Sequence, residues 1–519
     1  MTSVHVTRIE RDTAALVGAV SLVAAMGALA ASVVAERGVA PTAAATLLIG
    51  ALVATHKALS RWHVLVGAIV LLILFIPIKR YKIAAGLPFD LEPYRILLAL
   101  VVTVWLAAAL TDPKTRLRGS FLDKPLLLIL LSVIGSILFN TGTIGAPNYF
   151  WFRGELFNRG DLAADTLKKL IFLLSFFLFF YLVVSVIRDE RAIHAVIKTL
   201  VAGTVVVACS GIVEARSGYN VFDQIGAAIP FLEFQGALSD AGIARGGRLR
   251  VYASSQHPIA LATMFVMVLP LALYLLRHTG RRRWAIASLL IGLGAVSTVS
   301  RTSVTTLTAV AIVFLWLRPR SLKPLVPFIV PALIVVHLAL PGAIGGIRAA
   351  FFPSTGLIED QTKFGGRVSG DRLAPEWARI RANPAFGAGY GTRLTEAGLR
   401  QNSRVLDDEW LGTTAETGLV GLLAWVWFFA RFIRRAGREA RADTSSRGWL
   451  LTALTAGVFA FAVSMLTFDA FSFIQVTFVL FLLAALGAST MASSQPWTPA
   501  RGGAPGAASR FGTSARQAP

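Results

Sequence analysis

The chain has 519 residues, 55% of them hydrophobic and only 15% charged, with a mean hydropathy of +0.66; a soluble core cannot hide that much apolar side chain, so lipid must solvate it. A net charge of +22 and a pI near 11.0 would suggest nucleic acid in a soluble protein, but no nucleic-acid-reading motif accompanies the charge, and Lys and Arg gather at the ends of apolar segments, as topology signals and contacts to anionic headgroups do. The one cysteine, Cys209, lies in an apolar stretch and leaves no intrachain disulfide or Cys-based metal site.

Windows of about 20 nearly uncharged apolar residues, the length that crosses bilayer hydrocarbon, predict an all-α polytopic membrane protein with about 12–14 transmembrane helices. In chain order they fall near 13–35, 41–58, 63–78, 94–111, 125–140, 167–187, 197–215, 257–276, 284–299, 303–317, 325–346, 413–430, 449–468 and 473–490. Glu36 and Arg37 follow the first without a small-residue cleavage site, so it reads as a retained span and not a removed signal peptide. A cytoplasmic N-terminus puts Lys57 and Arg61 inside, then Lys114, Arg116, Arg118 and Lys124, then Arg188, Arg191 and Lys198. The same alternation keeps Arg277, Arg281–Arg283, Arg318, Arg320, Lys323, Arg431, Arg434, Arg435 and Arg438 inside, as the positive-inside rule requires. The exception is Lys79, Arg80 and Lys82, which fall outside: either that loop touches headgroups, which is the reading taken, or the early register is off by one span.

Both termini are then cytoplasmic, and the membrane is expected to be the cytoplasmic (inner) one. Three hydrophilic stretches face outward: 140–166, 216–256 and 347–412, the last a large, partly helical extracytoplasmic loop. Function is expected there, because loops carry it more often than scaffold does. The chain divides into a transmembrane bundle over 1–283, a region over 284–425 that holds the long loop, helices over 426–492, and a tail over 493–519. Pro, Gly, Ala and Ser dominate that tail, which suits cytoplasmic disorder.

Four clusters carry candidate chemistry. Arg301, in TVSRTSV, interrupts two apolar segments; it is either an interfacial mark of a tight helical hairpin or a cation lining a wet cavity, since an arginine near lipid is costly without a partner. Arg248 and Arg250 precede a helix that opens with His257 and Pro258; paired guanidinium forks suit phosphate or pyrophosphate, while His257 is either a cap or a ligand contact. Between Gly365 and Arg393, Leu373, Trp377 and Ile380 are spaced as one face of a short surface helix, with Asp371 as N-cap and Pro384 as its stop. Arg367 and Arg372 flank its start, and the GAGYG run after it predicts a tight turn. Finally Asp407, Asp408 and Glu409 stand before the re-entering span, with Glu416 a turn or two inside; dipole stabilisation accounts for acids there, and a cavity role is the alternative.

On these residues the chain resembles the O-antigen ligase and polymerase family of bacterial membrane glycosyltransferases. The resemblance covers roughly 284–425. It rests on Ser300-Arg301, on Arg372 to Trp377 followed by Asn383-Pro384 and Gly387-Ala388-Gly389, and on Asp407 to Leu411 followed by Ala415-Glu416-Thr417-Gly418-Leu419-Val420-Gly421. It implies transfer or polymerisation of glycan from a polyprenyl-pyrophosphate carrier onto a hydroxyl of a lipid or glycan acceptor at the outer face of the membrane, inverting and without a metal or other cofactor. Catalytic roles fall to Asp407, Arg301 and Arg372, and substrate contacts to Arg248, Arg250, His257, Arg367, Asp408, Glu409 and Glu416. Ligases of the family carry a histidine where Asp407 stands, and the acid favours the polymerase-like members. Asp408 and Glu409 are alternative bases. A transporter or flippase of lipid-linked glycan is the rival reading, because it too needs many spans and cationic cavity residues.

Overall fold

In the computed structural model the described residues are 61–83, 92–111, 116–145, 149–152, 155–158, 162–229, 231–236, 244–245, 248–322, 327, 329–340, 345, 348, 370–393 and 406–493. The predicted spans at 13–35 and 41–58, most of the long loop and the tail lie outside them. Apart from short two-stranded ribbons, the described chain is helical. Its principal helices are α1 (Trp62–Phe75), α2 (Pro93–Thr111), α3 (Asp123–Phe139), α4 (Leu162–Val186), α5 (Glu190–Ser217), α6 (Pro258–Thr279) and α7 (Arg282–Ser297). They continue with α8 (Arg301–Leu317), α9 (Ile329–Ala339), α10 (Gly370–Ala382), α11 (Glu409–Ala442), α12 (Ser446–Ser464) and α13 (Ile474–Ala492).

Seven of these, α2, α4, α5, α6, α11, α12 and α13, are long and apolar enough to cross a membrane, which makes this a multi-pass membrane protein of the all-α class. Each remaining predicted span among the described residues meets a shorter helix, 14 residues in α1 and 11 in α9. The enclosed centre of the bundle is built by α6, α12 and α13, whose apolar windows are 83%, 72% and 94% buried, against 28% for α2 at the rim. Phenylalanines fill the seam between α4 and α13: Phe176 meets Phe478 edge-on at 4.7 Å and stacks on Phe481 at 5.5 Å. Helix ends carry ordinary stops, such as Asp189 capping α5 through the Ala192 amide at 2.7 Å and Gly280, with φ +64°, closing α6.

Successive helices alternate in direction, so the bundle has two chemically different ends. At one end arginines reach across helix termini: Arg431 donates to Phe121 O at 2.5 Å, Arg318 to Ala440 O at 2.5 Å and Arg447 to Thr490 O at 3.1 Å, while Arg277 lies 3.9 Å over the Trp449 ring. The other end collects every described candidate residue. Lys79, Arg80 and Lys82 sit at that second end; Lys79 is exposed, but Arg80 is turned inward and does not make the expected headgroup contact. Arg80 is buried, bonded to Asp223 at 2.5 Å and to the Ala253 carbonyl beneath the Tyr252 ring; Lys82 lies 3.6 Å from Glu233 in the strand pairing of Tyr81–Ile83 with Leu232–Phe234. An arginine neutralised by a buried carboxylate no longer weighs against the charge pattern that orients the chain.

Candidate functional site

The second end is organised around the turn between α12 and α13, and the predicted segments converge on it. The Glu409 amide donates to Met465 O at 2.7 Å, and the Leu406 amide to Asp469 Oδ2 at 3.2 Å. Thr302, at the start of α8, bonds Thr467 at 3.0 Å, and the Ile474 amide donates to Gln256 Oε1 at 3.0 Å. Arg250 is buried and donates through Nε to Thr298 O at 3.1 Å. Arg250, His257, Arg301, Asp407, Asp408, Glu409 and Glu416 therefore share one end of the bundle, though they lie up to 166 positions apart in sequence. The side chains of Arg248 and Arg372, and all of Arg367, lie outside the described residues.

Each candidate takes a definite local form. Only Thr298, Val299 and Ser300 separate α7 from α8; Val299 turns the chain with φ +46° and Ser300 caps α8, so α7 and α8 form a tight hairpin with Arg301 as the first residue of its second helix. His257 is the N-cap of α6, its Nδ1 accepting from the Ile259 amide at 3.2 Å while its ring packs on Phe473. Asp407 is half-buried in a left-handed turn, φ +54°, where a non-glycine residue is uncommon. Asp408 is the N-cap of α11 through the Leu411 amide at 3.1 Å, with burial raising its carboxyl above the usual range. Its replacement by Ala should cost roughly 1 kcal/mol of stability, as lost N-caps do, read as a lowered thermal midpoint of the detergent-solubilised protein. In α10 the expected face turns: Ile380 is buried with Glu376, while Trp377 is half-exposed and available to the membrane surface. Burial raises the Glu376 carboxyl, with Arg379 and Arg393 opposing it.

Glu409 and Glu416 are tied to an arginine that the sequence reading passed over. Arg393, 3% exposed, bonds Asp469 and lies 3.1 Å from Glu409 Oε1 and 3.6 Å from Glu416 Oε1. Burial works against its charge, and the three carboxylates overcome that and hold the guanidinium protonated. Lys169 Nζ completes the cluster, 3.1 Å from Glu416 and 2.7 Å from Arg393 O. Two cations thus face three carboxylates in a buried network, an arrangement tolerable only where nearly every polar group finds a partner. Arg393 ends the GAGYGTR string and Asp469 is a lone acid in a four-residue turn between two apolar segments. Both were visible as charges, but nothing local says that they meet.

The cluster forms one wall of a cavity of about 360 Å³ between α3, α4 and α11. Lys79, Asp165, Lys168, Lys169, Glu409, Glu416 and Arg393 line its polar part, whereas Ile129, Val133, Phe172, Phe176 and Trp425 line an apolar part that runs along the helices. Glu416 is thus a cavity residue, the second of its two readings.

A break in α11 shapes the wall. Gly418 has φ +70° and ψ −168°, so the helix loses its bonds from Leu419 to Ala415 and from Val420 to Glu416. All four freed groups find partners: the Leu419 amide donates to Pro384 O at 2.8 Å, Val420 to Ala385 O at 3.3 Å, Ala415 O accepts from the Ala388 amide at 2.9 Å and Glu416 O from Ser136 Oγ at 2.6 Å. The Asn-Pro segment that ends α10 is therefore threaded into the kink, and Gly387, Gly389 and Gly391, all with positive φ, form the predicted tight turn beyond it. Comparison with known proteins gives no match, whether to a protein-family model or to a curated protein.

Proposed function

We propose that this chain is a membrane glycosyltransferase that transfers or polymerises glycan from a polyprenyl-pyrophosphate carrier onto the hydroxyl of a lipid or glycan acceptor, with the arginine-rich end in the cytoplasm and the cavity at the outer face of the cytoplasmic membrane. One observation carries the reading: at the end of the bundle that holds Arg250, Arg301 and Asp407, though not lined by them, lies a cavity with lysines beside the buried Glu409 and Glu416 in its polar part and helix side chains in its apolar part, as a lipid-linked phosphorylated donor and an incoming alcohol together require.

In this mechanism the bond between the anomeric carbon and the pyrophosphate oxygen breaks as the acceptor oxygen attacks from the opposite face, so configuration inverts. The electron pair leaves on polyprenyl pyrophosphate, where Arg301 and Arg372 offset the growing charge, with Arg248, Arg250 and Arg367 as further contacts. Asp407 orients the acceptor and takes its proton, Asp408 being committed to its cap. Arg393 is a positioning residue: its charge is matched by Asp469, Glu409 and Glu416, and it fixes the latter two acids in the wall. Product release leaves polyprenyl pyrophosphate and a lengthened or newly decorated acceptor.

The test is incubation of the purified protein with a lipid-linked oligosaccharide, with and without acceptors. Longer chains indicate a polymerase and a single transfer to a distinct molecule indicates a ligase; movement of intact donor across a vesicle membrane without transfer overturns the proposal in favour of a flippase. Arg301→Ala is expected to lower transfer at least a hundredfold, the order that removal of one charge-stabilising donor produces, at unchanged membrane abundance. Wild-type transfer by that variant removes Arg301 from the site.

A further inference from the structure

A second cluster of titratable side chains lies at the arginine-rich end, away from the cavity. Glu190 and His194 stand one turn apart on α5, and Tyr274 and His278 one turn apart on α6. The two imidazoles are stacked, with centroids 4.5 Å apart, and His194 Nε2 is 2.6 Å from the Tyr274 hydroxyl. We propose that Glu190, His194 and His278 form a binding site for a divalent transition-metal ion of the zinc type.

The geometry supports this in three ways. Donor atoms of the three residues lie within 4.8 Å of one another, against about 4 Å at most for ligands of a common zinc ion, and to share one ion in the plane of both rings the two imidazoles must turn out of their stack. His278 Nδ1 is buried with no hydrogen-bond partner among the described residues. His194 has the outer partner typical of a metal-bound histidine: with its proton on Nε2, the ring donates to the Tyr274 oxygen and presents Nδ1, 3.8 Å from Glu190 Oε1, to the ion. The His194 ring also hydrogen-bonds the Glu190 main chain, a bond that an ion held at Nδ1 would replace.

Two imidazoles and one carboxylate suit zinc or a similar borderline ion rather than calcium or magnesium, and leave a fourth position for water. Lys198, one turn further along α5, is the opposing charge, and it is solvent-exposed. A bound ion would fasten α5 to α6.

The experiment uses the full chain in detergent, stripped with a chelator, dialysed against zinc chloride and counted by elemental mass spectrometry. One zinc per chain is expected, together with a raised thermal midpoint. His278→Ala and His194→Gln should each lose stoichiometric binding and the zinc-dependent rise, and Tyr274→Phe should weaken binding about tenfold, as loss of an outer partner does. Cobalt in place of zinc should give the intense visible absorption of a tetrahedral site in wild type even where a variant fails to fold. Zinc well below one per chain in wild type, or binding by either histidine variant equal to that of wild type, overturns the proposal. None of these readouts depends on glycan transfer, so the transfer reading can fail while the metal site stands.

Discussion

Arg393→Ala is expected to be the most damaging single change at the site, lowering the thermal midpoint sharply and abolishing transfer. The substitution leaves Asp469, Glu409 and Glu416, each less than a tenth exposed, without the guanidinium that neutralises them. Breaking a buried pair from one side costs roughly 3–5 kcal/mol, and three carboxylates around one lost cation put this case at the upper end. Thermal unfolding in detergent reads the first effect and lipid-linked glycan turnover the second. A combined variant carrying Arg393→Met, Glu409→Gln and Asp469→Asn separates them: stability should largely return, because the uncompensated charges are gone, while transfer should not. If the single variant melts like wild type, the network does not hold the wall together.

Gly418→Ala is the second. The native φ of +70° with ψ near −168° is a region almost reserved for glycine, and a Cβ built there would stand 2.2 Å from the Ala385 carbonyl oxygen. Backbone strain of about 1–3 kcal/mol adds to a contact that the chain can relieve only by withdrawing the Asn-Pro segment. Withdrawal would leave the Leu419 and Val420 amides and the Ala415 carbonyl unpaired at membrane depth, where no water replaces the lost partners. The expected result is a protein that still inserts, melts several degrees lower and loses transfer. Gly387→Ala should act alike, since its Cβ would meet the Glu416 carbonyl carbon at 2.6 Å. Unchanged turnover in both variants would mean that the interlocked kink has no part in the chemistry.

The helices and their alternating direction were legible because hydropathy and arginine placement act through local length and charge. The predicted segment at 413–430 shows the limit of that reading: hydropathy ends where arginines begin, but α11 continues to Ala442 because its charged last turns reach beyond the apolar layer. Gathering of Arg250, His257, Arg301 and the acids at one end followed from the same alternation. What the residues could not announce was pairing. Arg393 with Asp469, and Arg80 with Asp223, join positions 76 and 143 apart, and neither partner carries a local pattern that differs from an ordinary loop charge. The kink was half-visible: the order Asn-Pro, Gly, Glu-x-Gly stands in the sequence, yet its meaning, one backbone supplying the bonds another has given up, exists only once the two segments touch.

The short helices have a consequence for the bilayer itself. At about 1.5 Å of rise per residue, the 14 residues of α1 and the 16 of α7 reach only about 21 and 24 Å, against roughly 30 Å of hydrocarbon. Where α7 turns Ile286 and Leu289 outward, lipid would thin to match. The membrane would dip on that flank, letting a phosphorylated headgroup meet the protein at a depth it could not otherwise visit without shedding its water.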